Sequence, residues 1–446
     1  MTDKALPRDL GNGLVLRQGT PKDVGALCAC YAEAFHRPTD DGPNPFFLAW
    51  IRDLATASLP PYGAHNFTIV EDTQSGQIVS SLNLVSQTWC YEEIEFGVGR
   101  IEPVGTLPSY RKRGLVRAQF DLAHRWSAER GELVQTITGI PYFYRQFGYE
   151  MTIESGAGHL GSKLAVPKLK EGEEEPYRVR PAAEGDLAFM RMLADRAAAR
   201  YLVTCRRDDS LWRYELDGRS EGNGSGLVLR VIESAAGERV GFLGHNSRLW
   251  GDALHVRALE LSTGLSWAAV APSVLRYLQA AGEECLKQDP KATAFSRLGL
   301  SLGTEHPIYC VTASVLPQVD PPYAWYVRVP DVPAFLRRIA PVLERRLAES
   351  SLAGHSGDLK VSFYRSGVRL VIEQGRLTSV EPWQPSHEDS GQAGFPDLTF
   401  LKLLFGYRDY DEIRYVFPDA WADGDEARAL LAALFPKRPS LVWPVA

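Results

Sequence analysis

The chain of 446 residues holds no uninterrupted apolar run of about 18 residues, the length a membrane-spanning helix needs, and its opening MTDKALPRDLGNG has no apolar signal core. Neither membrane insertion nor secretion is expected. Cysteine is sparse: Cys28, Cys30, Cys90, Cys205, Cys285 and Cys310 are scattered, with no CxxC pair and no histidine at zinc-finger spacing. This predicts a reduced, cytoplasmic chain without a metal site. A strong charge of one sign is also missing. Lys and Arg number 49 against 55 Asp and Glu, a net charge of -6 that does not draw a protein onto nucleic acid or anionic membranes. The signatures GxxxxGK[ST], HExxH and GxSxG are absent, as is a GxGxxG opening a helix after a strand, which removes support for ATPase, zincin and α/β-hydrolase chemistry. The nine histidines are dispersed, and His124, in the middle of a helical pattern, reads as structural.

What is present is a globular composition, 45% hydrophobic and 23% charged, with length for about three domains. Two Pro-containing breaks, VPKLKEGEEEPY at 166–177 and VLPQVDPPY at 315–323, predict domains over 1–165, 176–314 and 323–446. The segments LVLRQGTPKDVGAL and YRVRPAAEGDLAFM begin the first two of these. Each is a short apolar strand, an Arg, five residues, an Asp and an amphipathic helix, which points to a duplication. In the first copy Thr20 suits the N-cap and Pro21 the first helical position, and Val24, Leu27, Tyr31 and Phe35 recur at helical spacing. Strands are predicted at NFTIVED, QIVSSLNLVSQTW, IEFGVGRIEPVGTL and LVQTIT, with a helix over 115–130. The second copy repeats the outline with GLVLRVIES, VGFLGHN, LHVRALELS, a helix over 272–287 and FSRLGLSL. The last third reads as a compact α+β module: a strand and helix, three alternating strands, then helices over 397–404 and 423–434.

The informative stretch is VGTLPSYRKRGLVR, Val104 to Arg117, where a strand passes through a basic turn directly into a helix. Unpaired N–H groups there converge on one spot and the helix dipole adds partial positive charge, so a pyrophosphate fits. Gly114 lets the backbone approach closely, and Arg111, Lys112, Arg113 and Arg117 supply charge. One strand later comes YFYRQFGYE.

These two motifs, at this spacing, resemble the acetyl-CoA motif of the GCN5-related N-acetyltransferases (GNAT). The three-part layout resembles the enhanced-intracellular-survival (Eis) family. The resemblance implies an α+β chain of two tandem GNAT folds followed by a domain like sterol carrier protein 2, an acetyl-CoA cosubstrate, no metal, and a trimer or hexamer. It further implies that Val104, Gly105 and Thr106 pair with the pantetheine arm, that Arg111, Lys112, Arg113, Gly114, Leu115 and Val116 form the pyrophosphate turn, and that Tyr144 protonates the departing thiolate, with Tyr142 a weaker candidate. A phenol remains protonated at pH 7, and a nearby thiolate can take its proton. Two carboxylates compete as the base: that of the terminal Ala446, used in the family, and Glu102, beside Pro103 where the strand ladder can bulge. For the acceptor, Phe35, Asp40, Asp41 and Trp50 offer an aromatic and acidic wall suited to a cationic amine. The acceptor is thus a primary amine on a small molecule such as an aminoglycoside or polyamine, or on a peptide or protein lysine. A noncatalytic CoA or lipid binder is the reading from another class.

Overall fold

The computed structural model describes residues 6–37, 42–289 and 292–443. The first third contributes β1 (Arg8–Gly11), β2 (Leu14–Gln18), α1 (Val24–Ala34), α2 (Pro45–Thr56), β3 (Phe67–Asp72), β4 (Gln77–Tyr91), β5 (Ile94–Thr106), α3 (Leu115–Glu129), β6 (Val134–Ile137) and β7 (Glu150–Ser162). The middle third contributes β8 (Tyr177–Pro181), α4 (Leu187–Ala198), β9 (Val203–Cys205), α5 (Asp209–Arg213), β10 (Leu227–Ser234), β11 (Arg239–Asn246), β12 (Ala253–Leu261), α6 (Trp267–Gln288), β13 (Arg297–Leu300) and α7 (Tyr309–Thr312). The last contributes β14 (Gln318–Arg328), α8 (Val332–Ala348), β15 (Gly357–Ser362), β16 (Gly367–Glu373), β17 (Arg376–Trp383), β18 (Ala393–Gly394), α9 (Phe400–Leu404), α10 (Tyr410–Val416), β19 (Trp421–Ala422) and α11 (Gly424–Leu434). The class is mixed α/β.

One sheet runs through the first two thirds in the order β1-β2-β3-β4-β5-β6-β14-β7-β13-β12-β11-β10-β8, with β9 paired on β4. Two of its pairings are parallel, β5 with β6 and β12 with β13. The long strand β7 joins the halves, pairing with β14 along most of its length and with β13 through its last residues. A second sheet, β17-β16-β15-β18-β19, belongs to the last third. Its core is shared with the first third: Trp89, Tyr91, Phe96 and Val98 pack with Phe335, Leu336 and Phe405 in one apolar cluster.

The duplicated opening has a physical content. Arg17 grips Asp23 through two nitrogens at 2.7 and 2.8 Å and reaches Glu71 with its third at 2.7 Å. Arg180 repeats this with Asp186 at 2.7 and 3.0 Å and Glu233 at 2.7 Å. In both places a planar, bidentate pair ties a strand to the turn that starts a helix. Thr20 and Pro21 do precede a helix start, but as the cap of a short 3-10 turn, Pro21–Asp23, that leads into α1.

The Pro-containing stretch at 315–323 runs into a strand. Residues from Gln318 onward belong to β14, which fills the gap between β6 and β7. Its prolines are tolerated because β14 pairs with β7 alone over Gln318 to Ala324 and meets β6 only at Tyr326 to Arg328, so their missing N–H groups cost no ladder bond on the second side. Among the last helices, α10 was not anticipated.

Candidate active site

Strands β5 and β6 pair only at Val98, Gly99 and Arg100, and beyond them β5 continues to Thr106 hydrogen-bonded to β4 alone. The parting of the two strands leaves a backbone edge facing a cleft of about 600 Å³. Val104, Gly105 and Thr106 line one wall, Arg111, Lys112, Gly114, Leu115 and Val116 the end at α3, and Tyr144 the inner side. The sequence motif therefore comes together around one cavity. Gly105 fits because α1 packs against β5 there: a Cβ would lie 2.9 Å from the Tyr31 ring. Gly114 adopts φ +77°, the left-handed region where glycine costs least, and caps the N-terminus of α3.

The basic residues of the turn divide. Arg111 donates to the carbonyls of Thr106 at 3.3 Å and Ala34 at 3.4 Å, which pins the turn across the mouth of the cleft. Arg117 lines the cleft, donating to Gln146 at 3.1 Å and lying 5.0 Å from the Phe147 ring centre. Arg113, expected in the phosphate turn, instead lies 4.7 Å from the Tyr110 ring centre and donates to the Ser109 carbonyl at 2.9 Å. Its side chain forms no part of the cleft wall.

Tyr144 sits in the short helix Phe143–Phe147 and is 5% exposed. Burial raises its pKa above the ordinary phenol value, and the negative charge of Glu102 and the phenols of Tyr323 and Tyr326 add to the effect. Tyr142, with φ +61°, is 70% exposed, and the Arg145 guanidinium carbon lies 5.8 Å from its ring centre. His124 shares a hydrogen bond of 2.8 Å with the Tyr149 hydroxyl, and burial pulls its pKa down to about 3.

The β4–β5 ladder shifts register between Leu82 and Leu84, opposite Glu102 and Pro103, so the anticipated bulge is present. The Glu102 carboxylate pairs with Arg100 and lies 3.4 Å from the Thr138 hydroxyl. Glu102 and Arg100 also line a second cavity of about 440 Å³, opposite Phe46, Phe47 and Trp50 of α2, with Arg248 and Trp250 from the middle third completing the wall. The two cavities flank the bulge, with Val104 of the first lying two residues beyond Glu102 of the second, and Phe35 of the first and Phe47 of the second have ring centres 4.8 Å apart. Asp40, Asp41 and Ala446 lie outside the described residues. Near the end of the chain, Trp443 packs against the buried Arg207, whose guanidinium carbon is 3.9 Å from the ring centre.

Sequence reasoning missed the aromatic lining by Phe143 and Phe147, which lay within a motif already singled out. It also missed Tyr323 and Tyr326 of β14, and Arg248 and Trp250 of the loop between β11 and β12, which are distant in sequence and carry no local signal. The groups able to hold a metal are absent among the described residues, and no helix of the described chain is long and apolar enough to cross a membrane.

Comparison with known proteins agrees with this geometry. No curated protein sequence matches the chain. Solved structures match along nearly all of it: a probable N-acyltransferase from Enterococcus faecalis V583 (13% identity, 96% of this chain and 98% of the other, TM-score 0.67), a GCN5-related N-acetyltransferase from Kribbella flavida (16%, 100% of both chains, TM-score 0.63) and Eis1 from Mycobacterium abscessus (12%, 96% and 98%, TM-score 0.59). At these identities the likeness is one of fold. The model of the acetyltransferase (GNAT) domain matches residues 15–152, the span that builds the cleft between β5 and β6. Residues 15–152 of the chain are thus similar to the acetyltransferase (GNAT) domain.

Proposed function

We propose that the protein is an acetyl-CoA-dependent N-acetyltransferase that moves an acetyl group directly to a primary amine. The observation that carries the reading is the cleft itself, where an open strand edge, a helix N-terminus reached through a left-handed glycine, and a buried phenol share one cavity. These features fit the cosubstrate: the edge of Val104 to Thr106 suits an extended pantetheine arm, and the turn of Arg111, Lys112 and Gly114 suits a pyrophosphate. Acetyl-CoA, when bound, supplies the activated thioester.

The chain's residues do the rest. Backbone N–H groups near Val104 polarise the carbonyl oxygen. The two cavities hold nitrogen and carbonyl carbon in line, which removes much of the entropic cost of their encounter. As the new C–N bond forms and the C–S bond breaks, the Tyr144 hydroxyl gives its proton to sulfur, and the amine's proton passes to Glu102, directly or through water. Burial keeps the Tyr144 proton in place until it is needed.

The middle third we read as a second, degenerate GNAT copy, on the repeated Arg, Asp and Glu cluster and the second parallel strand pair. It has no counterpart of the basic turn: Arg276, at the equivalent position, lies inside α6 and pairs with Glu175. Its work is to wall the acceptor cavity. The last third we read as a sterol-carrier-like module fixed to the first: the Tyr91 hydroxyl donates to the Leu404 carbonyl at 2.8 Å, and Glu92 pairs with Arg345, Arg346 and Arg438. A cytoplasmic homo-oligomer is part of the same reading.

The test is release of CoA thiol from acetyl-CoA with a panel of primary amines, beside Tyr144→Phe. Turnover with an amine class, cut at least a hundredfold in the variant, supports the proposal. Acetyl-CoA bound without turnover by any amine favours a binding protein.

A further inference from the structure

We infer that the acceptor cavity selects an amine that also carries a carboxylate, separated from the amino group by a flat or aliphatic body. The inference rests on the acetyl-transfer reading for the cavity's role and deepens it.

The argument starts from charge. Among the described lining residues there is a single carboxylate, Glu102, already in an ion pair with Arg100, and a second cation, Arg248. Both arginines are already matched, Arg100 by Glu102 and Arg248 by Asp289, so each extra ammonium of a polycationic acceptor would be desolvated with no further carboxylate among the described lining residues. A single amine at the Glu102 end is compatible with this wall.

The same lining also holds donors. The Arg248 guanidinium carbon lies 3.2 Å from the centre of the Phe46 ring, and its Nε faces Asp289 at 3.4 Å. Neither of its terminal nitrogens donates a hydrogen bond among the described residues. The Trp50 indole N–H is buried without a partner, and Ser225, Ser247 and Asn246 stand beside it in the lining. A planar fork and an orphaned indole donor in one lining match a carboxylate, which accepts several bonds at once. In the same lining, Phe46, Phe47 and Trp50 offer an aromatic wall for an apolar body.

The wall is preorganised across the two units. Asp53 of α2, 6% exposed, accepts from the Ser220 N–H at 3.0 Å and the Asn223 amide at 2.6 Å, while the Gly224 N–H donates to the Phe46 carbonyl at 3.2 Å. Arg257 holds Asn246 through Nε at 3.2 Å and lies 5.2 Å from the Trp250 ring centre. Such anchoring lowers the ordering cost of binding.

Matched pairs test the inference: 4-(aminomethyl)benzoate against benzylamine, and 6-aminohexanoate against hexylamine, with spermidine and kanamycin as polycations. Affinity for the CoA-saturated protein is read by calorimetry, and thiol release is read separately. The expected result is at least tenfold tighter binding of the carboxylate member of one pair. Arg248→Gln should remove that preference while changing the affinity of its partner less than threefold, and Trp50→Phe should weaken it severalfold. Tighter binding of a polycation, equal binding within both pairs, or an Arg248→Gln effect of the same size on both members overturns the inference. Binding of the carboxylate amine without thiol release leaves it standing and overturns the acetyl-transfer reading.

Discussion

The hydroxyl of Tyr326 on β14 accepts the backbone N–H of Tyr142 at 2.6 Å, so a strand from the last third holds the loop that carries Tyr144. The same strand supplies Tyr323, whose hydroxyl donates to the Gly139 carbonyl at 2.6 Å, and the ring of Tyr326 lies 5.6 Å from that of Tyr144. The position of the proposed proton donor is therefore set by a segment outside the matched acetyltransferase domain. Removing the Tyr326 hydroxyl takes away one hydrogen bond of about 1 kcal/mol net. Tyr326→Phe should lower kcat about fivefold with the KM for acetyl-CoA nearly unchanged, read by steady-state kinetics.

Tyr144 should show itself through pH. Because burial and the charge of Glu102 raise its pKa, the neutral, proton-donating form persists well above the pH at which an ordinary phenol ionises. The kcat profile of the wild type should therefore have no descending limb below pH 10 from this group. Tyr144→Phe should reduce kcat by about two to four orders of magnitude at every pH tested, measured by CoA release.

Two glycines of the motif should respond differently. A Cβ at Gly105 meets the Tyr31 ring at 2.9 Å, whereas nothing lies within 4 Å of a Cβ at Gly114. Gly105→Ala should destabilise by overpacking, about 1–3 kcal/mol, and raise the KM for acetyl-CoA as β5 moves. Gly114→Ala meets only the left-handed backbone cost of about 1–2 kcal/mol. Thermal denaturation and acetyl-CoA calorimetry on the two variants check this.

The repeated ion clusters give a pH signature of stability. Arg17 holds the Asp23 carboxyl down to about 2, and Arg180 does the same for Asp186. A carboxylate whose folded-state pKa is depressed stabilises above its unfolded value near 4, and that contribution is lost as the pH falls toward about 2. The Tm deficits of Asp23→Asn and Asp186→Asn should accordingly be constant from pH 5 to 8 and shrink below pH 4.

Much of the first third was legible because its signals are local. The turn from Val104 to Arg117 encodes strand, left-handed glycine and helix in consecutive residues, and the Arg, five-residue, Asp spacing of the repeat closes an ion pair within one turn. Charge alone does not reveal the contact of Arg113 with the Tyr110 ring, which depends on side-chain direction around the turn. The prolines near 320 read as a linker because composition does not reveal that β14 is flanked on one side there. Tyr326 was invisible for a related reason, since it reaches the site through the pairing of β7 with β14, more than a hundred residues apart in sequence, and Arg248 and Trp250 share a cavity with Phe46 and Glu102 from a loop equally remote in sequence.

The measurement that tests the central claim most directly is calorimetric titration of the full chain with acetyl-CoA, beside a Lys112→Glu variant that reverses the charge in the turn. The account predicts one binding site per chain, located in the cleft between β5 and β6, with affinity lost at least tenfold in the variant. Two equivalent sites, affinity unaffected by Lys112→Glu, or no binding at all would contradict it.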